Sequence, residues 1–157
     1  MNIEVRQAPN NFAGQVKGLN PERAEDFAKI HRAFLDHGVI AIRDHPLTPE
    51  AQLTFSRRFG PLMCRRPSTP DKVLMPGQSE IVILSNRKKD GENVGITDAG
   101  RYWHSDLCFE EEPNLGTIVH AIEVPPEGGD TLFAALEPAH ATLADDLQVE
   151  NGTGAGR

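Results

Sequence analysis

The pattern of hydrophobic and polar positions predicts a helix near the start of the chain. Apolar residues recur at helical spacing from Ala24 to Leu35. Asn20 is a suitable N-cap, Pro21 suits the first helical position, and Gly38 is a natural residue just after the last turn. This segment is the clearest helix that the sequence predicts.

Short apolar runs predict strands on both sides of that helix. The predicted strands are 3–8 and 12–19, as a hairpin or as two short strands, then 39–42, 81–84, 101–109, 117–124 and 130–134. The continuous run Val39–Ile42 is typical of a strand buried on both faces. Thr48 and Pro49 predict the start of a second helix, and Pro138–Leu147 predicts a third. The polar stretch 85–100 is interpreted as a loop, so the elements predict an α+β fold that is mainly β.

Composition excludes several classes of protein. The 157 residues suit one domain, and 16 basic against 23 acidic residues give a net charge of −7, which disfavours nucleic-acid and membrane partners. Cys64 and Cys108 stand outside any CxxC spacing, so neither a zinc site nor a disulfide framework is predicted. Without a signal-peptide pattern or an apolar run of about 18 residues, the sequence predicts a cytoplasmic protein.

His104 and Asp106 are the candidate metal ligands. Residues two apart on a strand share a face, so the imidazole and the carboxylate would be presented together. They are two members of the 2-His-1-carboxylate triad, which binds ferrous iron and leaves positions open for co-substrate and oxygen. Trp103 would point the opposite way and pack behind the metal face. A purely structural His–Asp hydrogen bond is the alternative for this pair.

The surrounding motifs resemble those of a known family. Trp103–Asp106, Pro113–Gly116 and Glu123–Phe133 are similar to the taurine dioxygenase (TauD/TfdA) family of iron(II)- and 2-oxoglutarate-dependent oxygenases. The resemblance implies a dioxygenase domain over 1–147, followed by a divergent and disordered tail over 148–157. It also implies a partial double-stranded β-helix (a jelly roll, clavaminate synthase-like) with flanking N-terminal helices.

The resemblance also assigns roles to individual residues. His104 and Asp106 correspond to iron(II) ligands, and Thr131 to the threonine that binds the carboxylate of the co-substrate 2-oxoglutarate. The implied reaction uses O2 to decarboxylate 2-oxoglutarate to succinate and to hydroxylate a small, anionic organic substrate. The glycines at 128 and 129 would let the chain turn so that Thr131 returns towards the iron.

One departure from the family concerns the substrate. Met63–Arg66 stands where the family has a substrate-side histidine, so a substrate other than taurine is expected. Arg65, Arg66 and Asn86 are the candidate substrate contacts, and basic residues concentrate in this middle third of the chain.

A second departure concerns the end of the sequence. The resemblance places the family's other iron-binding histidine and its 2-oxoglutarate-binding arginine beyond residue 157, which suggests a truncated product, frameshifted near Gln148. A half-barrel would expose strand edges and favour self-association. Two alternatives stay open: a noncatalytic fragment that acts at most as a binding module, and a cupin-like metalloprotein that uses His104, Asp106 and Glu110.

Overall fold

The structure is a computed structural model that describes residues 4–7, 12–18, 20, 23–63 and 69–148. It divides into two compact units, Met1–His45 with Glu123–Arg157, and Pro46–Ile122. Each unit has its own small core. The buried apolar residues are Val16, Ile30 and Ala33 in the first unit, and Leu53, Phe55, Val73 and Leu74 in the second.

A three-stranded sheet and one helix form the first unit. Strand β1 (Glu4–Gln7) pairs antiparallel with β2 (Gly14–Lys17), which confirms the predicted hairpin. Helix α1 (Ala24–His37) then returns the chain so that β3 (Ile40–Ile42) pairs with β2 in parallel. The sheet order is β1-β2-β3, so β3 lies at an edge and is only half-buried. The prediction that β3 is buried on both faces is therefore wrong.

The predicted end of α1 is confirmed, whereas its predicted N-cap is wrong. Gly38 has φ +69° and donates its N–H to the Phe34 carbonyl at 2.8 Å, as expected of a residue that follows a helix. The N-cap is Arg23 rather than Asn20. Asn20 instead donates its backbone N–H to the buried carboxylate of Asp26 at 3.1 Å, so the acidic side chain in the first turn binds the preceding chain.

Helix α2 (Pro49–Ser56), near the start of the second unit, begins at the predicted residue. The Thr48 hydroxyl accepts the Ala51 N–H at 3.2 Å, which satisfies one of the N–H groups that a helix start leaves unpaired. Leu53 and Phe55 are buried in the core of this unit.

Two short hairpins follow α2 in the second unit. A 3-10 turn (Asp71–Val73) leads into β4 (Leu74–Met75), which pairs antiparallel with β5 (Gln78–Val82). Strand β5 begins three residues before the predicted 81–84. Strands β6 (Lys88–Lys89) and β7 (Glu92–Asn93) form the second hairpin.

The second hairpin lies inside the stretch 85–100, for which the sequence predicts a loop. Its two turn residues, Asp90 and Gly91, have φ +53° and +84°, the backbone that a two-residue type I′ turn requires. An Asp-Gly pair is a strong hairpin signal, so the sequence contained this information. A parallel bridge between Leu84 and Ile96 joins the end of the hairpin to the chain after β5.

The three strands predicted at 101–109, 117–124 and 130–134 are wrong, because the structure has no strand at these positions. Leu107 has φ +54°, and its carbonyl accepts the Glu110 N–H at 3.0 Å, so a turn interrupts the extended run directly after Asp106. A left-handed leucine is rare, and no sequence signal predicts it. Helix α3 (Leu136–Ala141) begins before the predicted third helix, and helical backbone resumes over 145–148.

The described residues thus combine helices with short strands, which agrees with the α+β prediction. They do not bear out a mainly β fold, because the three helices contain more of these residues than the strands do. The strands belong to three separate small sheets, and the layers of a double-stranded β-helix are not assembled in the described part of the chain. None of the described helices combines the length and apolar character needed to cross a membrane. The tail from 149 to 157 lies outside the described residues.

Candidate metal centre

His104 and Asp106 lie side by side although no strand presents them. The imidazole Nε2 is 3.2 Å from the carboxylate Oδ1. Both side chains are about half exposed, at 56% and 52%, so a solvated ion can reach them. The two side chains are therefore presented together, as the sequence predicts, but the strand predicted to carry them is wrong.

The spacing of this pair fits two adjacent ligands of one metal ion. Nitrogen and carboxylate ligands bind at about 2.1 Å, so two donors at right angles are separated by about 3.0 Å. The Nε2–Oδ1 distance of 3.2 Å between His104 and Asp106 is close to that value. Imidazole and carboxylate are also the donor types that ferrous iron takes in a facial triad.

A backbone carbonyl orients the imidazole of His104. Nδ1 lies 2.8 Å from the Tyr102 carbonyl oxygen, and since a carbonyl only accepts, Nδ1 carries the hydrogen. In the neutral ring, this leaves the lone pair on Nε2, on the side of Asp106. The hydrogen bond to Tyr102 raises the pKa of His104 above its ordinary value, and the nearby Asp106 carboxylate adds to the effect.

Thr117 is a member of the site that the sequence did not indicate. Its hydroxyl donates to Oδ2 of Asp106 at 2.8 Å, across 11 positions of sequence. Thr117 opened a predicted strand, and no motif or spacing linked it to the metal pair. Only the tertiary structure brings this hydroxyl to the carboxylate.

No third donor joins the pair in the part of the chain that the structure describes. No group of three or more His, Cys, Asp or Glu residues there is arranged to hold a metal ion. Glu110 therefore does not complete a cupin-like site with His104 and Asp106, and that alternative loses its support. Among the described residues, His120 and His140 belong to no such group either.

The other candidate site residues are Thr131, Asn86, Arg65 and Arg66. Thr131 is exposed and belongs to the first unit, whereas His104 and Asp106 belong to the second. The turn before Thr131 is as predicted, because the glycines at 128 and 129 have φ +71° and +75°. Asn86 is exposed in the second unit. Arg65 and Arg66 lie outside the described residues.

The apolar residues around the pair are exposed rather than packed. Trp103 is 70% exposed, so the expectation that it packs behind a metal face is wrong. Several large apolar side chains of the same unit are also exposed: Tyr102, Phe109, Leu115, Val119 and Ile122. Large apolar side chains that stay exposed are candidates for an interaction surface where they are contiguous.

Comparison with known proteins gives a family match over most of the chain. The sequence model described as "Taurine catabolism dioxygenase TauD, TfdA family" matches residues 4–150. This range includes His104, Asp106, Thr117 and Thr131.

Two curated relatives and one solved structure illustrate the match. The chain is 31% identical over 149 residues to the alpha-ketoglutarate-dependent 2,4-dichlorophenoxyacetate dioxygenase of Cupriavidus pinatubonensis, covering 88% of this chain and 52% of the relative. It is 27% identical over 157 residues to the (S)-phenoxypropionate/alpha-ketoglutarate-dioxygenase of Sphingobium herbicidovorans, covering 93% of this chain and 50% of the relative. The crystal structure of AAD-2 in complex with Mn(II) and N-oxalylglycine is 31% identical and covers 38% of this chain and 25% of that chain, with a TM-score of 0.35.

The chain spans about half the length of the curated relatives that it matches. The TM-score is too low to define a shared fold. The sequence match, by contrast, extends through both the metal pair and Thr131.

Proposed function

The chain belongs to the TauD/TfdA family of dioxygenases, and we propose that it contributes the His-Asp half of an iron(II)- and 2-oxoglutarate-dependent dioxygenase centre. The observation that carries this proposal is the pair itself. His104 Nε2 and Asp106 Oδ1 are 3.2 Å apart, the separation expected of adjacent ligands of one ion.

Each residue of the centre has a distinct task in this proposal. His104 binds the metal through Nε2 while the Tyr102 carbonyl keeps the hydrogen on Nδ1. Asp106 binds through Oδ1 and supplies negative charge. Thr131 donates its hydroxyl to a carboxylate of 2-oxoglutarate. Iron, when bound, supplies the redox chemistry that couples decarboxylation of 2-oxoglutarate to hydroxylation of a C–H bond.

The third protein ligand and the arginine that binds 2-oxoglutarate come, we propose, from outside the described residues. Two observations support this part of the proposal. The described residues contain no third donor at the pair, and the chain covers only 52% and 50% of two full-length relatives. The exposed apolar side chains of the second unit, such as Trp103 and Ile122, are consistent with a surface that further polypeptide covers.

The substrate, in this proposal, is a small organic acid. Two relatives are named for carboxylic acids, 2,4-dichlorophenoxyacetate and phenoxypropionate. The second unit contains five described basic residues: Arg57, Arg58, Arg87, Lys88 and Lys89. Asn86 precedes three of them in sequence and would donate a hydrogen bond to the acid. Consumption of 2-oxoglutarate should rise with aryloxyalkanoic acids and stay at background with their uncharged amides.

An anaerobic titration tests whether the pair binds metal. Iron(II) added to the full chain should broaden the imidazole proton resonances of His104, because the pair supplies two ligands of one ion. The broadening should weaken in Asp106→Asn, and the resonances of His140, on helix α3, should stay unchanged as the control. A folded chain in which millimolar iron(II) leaves the His104 resonances unchanged would refute the proposal and favour the noncatalytic alternative.

A further inference from the structure

The carboxylate of Asp106 is held from both sides. Oδ1 faces His104 Nε2 at 3.2 Å, while Oδ2 accepts the hydrogen bond of the Thr117 hydroxyl at 2.8 Å. We propose that Thr117 is a positioning residue that holds Asp106 in the orientation required for metal binding. This inference rests on the proposed function of the pair.

Asp106 needs such a contact because its backbone does not restrain it. It lies outside any strand, its side chain is 52% exposed, and a turn with Leu107 at φ +54° follows directly. An exposed aspartate on irregular backbone samples several rotamers, and only some place Oδ1 beside His104. The Thr117 hydroxyl supplies the donor that restrains this carboxylate, at 2.8 Å from Oδ2.

The two ligands are thus oriented by two different kinds of partner. The Tyr102 carbonyl orients His104 at 2.8 Å, and the Thr117 hydroxyl orients Asp106 at 2.8 Å. Hydrogen bonds of this kind to metal ligands change metal affinity by about 10–100-fold when they are removed.

The contact also determines which oxygen of Asp106 meets the metal. Because Oδ2 is engaged by Thr117, Asp106 is disposed to bind through Oδ1 alone. Binding through one oxygen occupies one coordination position, so the remaining positions stay open for co-substrate and oxygen. Without the hydroxyl, both oxygens of the carboxylate become free to chelate.

Three variants separate positioning from a merely structural role. Thr117→Val removes the hydroxyl and keeps the shape, Thr117→Ser keeps the hydroxyl, and Thr54→Val is the matched control. The Thr54 hydroxyl donates to the Glu50 carbonyl within helix α2, at 2.9 Å. Circular dichroism of each variant establishes that it is folded.

The first readout is Mn(II) affinity of the full chain, measured from the paramagnetic resonance signal of free Mn(II). We expect Thr117→Val to weaken binding by about 10–100-fold, while Thr117→Ser and Thr54→Val keep the wild-type value. Wild-type affinity in Thr117→Val, or failure of Thr117→Ser to retain it, would overturn the inference.

The second readout needs no metal. Nuclear magnetic resonance couplings across χ1 of Asp106 should report one rotamer in the wild type and in Thr117→Ser, and averaged rotamers in Thr117→Val. If the wild type binds no Mn(II), the proposed function fails, and these couplings alone decide the positioning role. Averaged rotamers in the wild-type chain would show that Thr117 does not position Asp106.

Discussion

Replacing Gly95 with alanine should strongly destabilise the unit that carries the metal pair. Gly95 is buried and has φ +80°, and a Cβ built there lies 2.8 Å from Cγ2 of Ile83 and closer still to the Ile83 carbonyl oxygen. That oxygen accepts the Ile96 N–H at 2.8 Å. The new methyl group would therefore displace the carbonyl that joins the 85–100 segment to the chain after β5.

The expected loss combines three effects. A left-handed backbone costs alanine about 1 kcal/mol more than glycine. Overlap with Ile83 costs about 2 kcal/mol, in the range of overpacked sites, and weakening of the hydrogen bond from Ile96 costs about 1 kcal/mol. We therefore expect Gly95→Ala to lower the free energy of unfolding by about 4 kcal/mol.

Gly91→Ala is the matched control. Gly91 has φ +84°, but no described atom lies within 4 Å of a Cβ built there, so only the backbone cost of about 1 kcal/mol applies. Urea unfolding followed by far-ultraviolet circular dichroism measures both variants. If the wild type is too marginal for a full curve, Gly95→Ala should be unfolded in buffer while Gly91→Ala is folded. If Gly95→Ala and Gly91→Ala lower the free energy of unfolding by amounts within about 0.5 kcal/mol of each other, the close approach of Gly95 to Ile83 is refuted.

Three further predictions concern the helix cap, the histidine and the tryptophan. Thr48→Ala should lower the free energy of unfolding by about 1 kcal/mol because it removes the N-cap of α2, whereas Thr54→Ala should have little effect. The pKa of His104, measured by proton resonance titration, should lie above its ordinary value of 6.5 and fall in Asp106→Asn. Because the pKa of His104 is raised on folding, protonated His104 stabilises the fold at low pH, and this stabilisation is lost as the pH rises through the folded pKa. Metal binding needs the neutral imidazole, so metal affinity should fall as the pH drops below that pKa. Acrylamide should quench the fluorescence of Trp103 efficiently, since the side chain is 70% exposed; a shielded indole would instead support the packing that the sequence predicted.

Local signals predicted the first half of the chain well. The helical periodicity from Ala24, the glycine after α1 and the Thr48-Pro49 start of α2 are all confirmed. These features depend on contacts within one or two turns of helix, so the sequence around each residue contains the necessary information. The Asp-Gly turn at 90 and 91 is equally local, so the sequence also contains the signal for the hairpin of β6 and β7.

The strands of the second half could not be predicted in the same way. A strand exists only when another segment pairs with it, and apolar alternation over 117–124 does not specify that segment. The left-handed backbone of Leu107 also has no signal in the sequence, yet it ends the extended run beside Asp106.

The sequence by itself determined the chemistry of the candidate centre: an imidazole and a carboxylate two positions apart, inside motifs of the TauD/TfdA family. The tertiary structure decided how these groups are presented, through the 3.2 Å approach of His104 to Asp106, the 2.8 Å hydrogen bond from Thr117 and the exposure of Trp103. The physical reason is the range of the interactions. Donor atoms and helix caps belong to single residues and their neighbours, whereas strand pairing, burial and the contact from Thr117 depend on segments that meet only after the chain has folded.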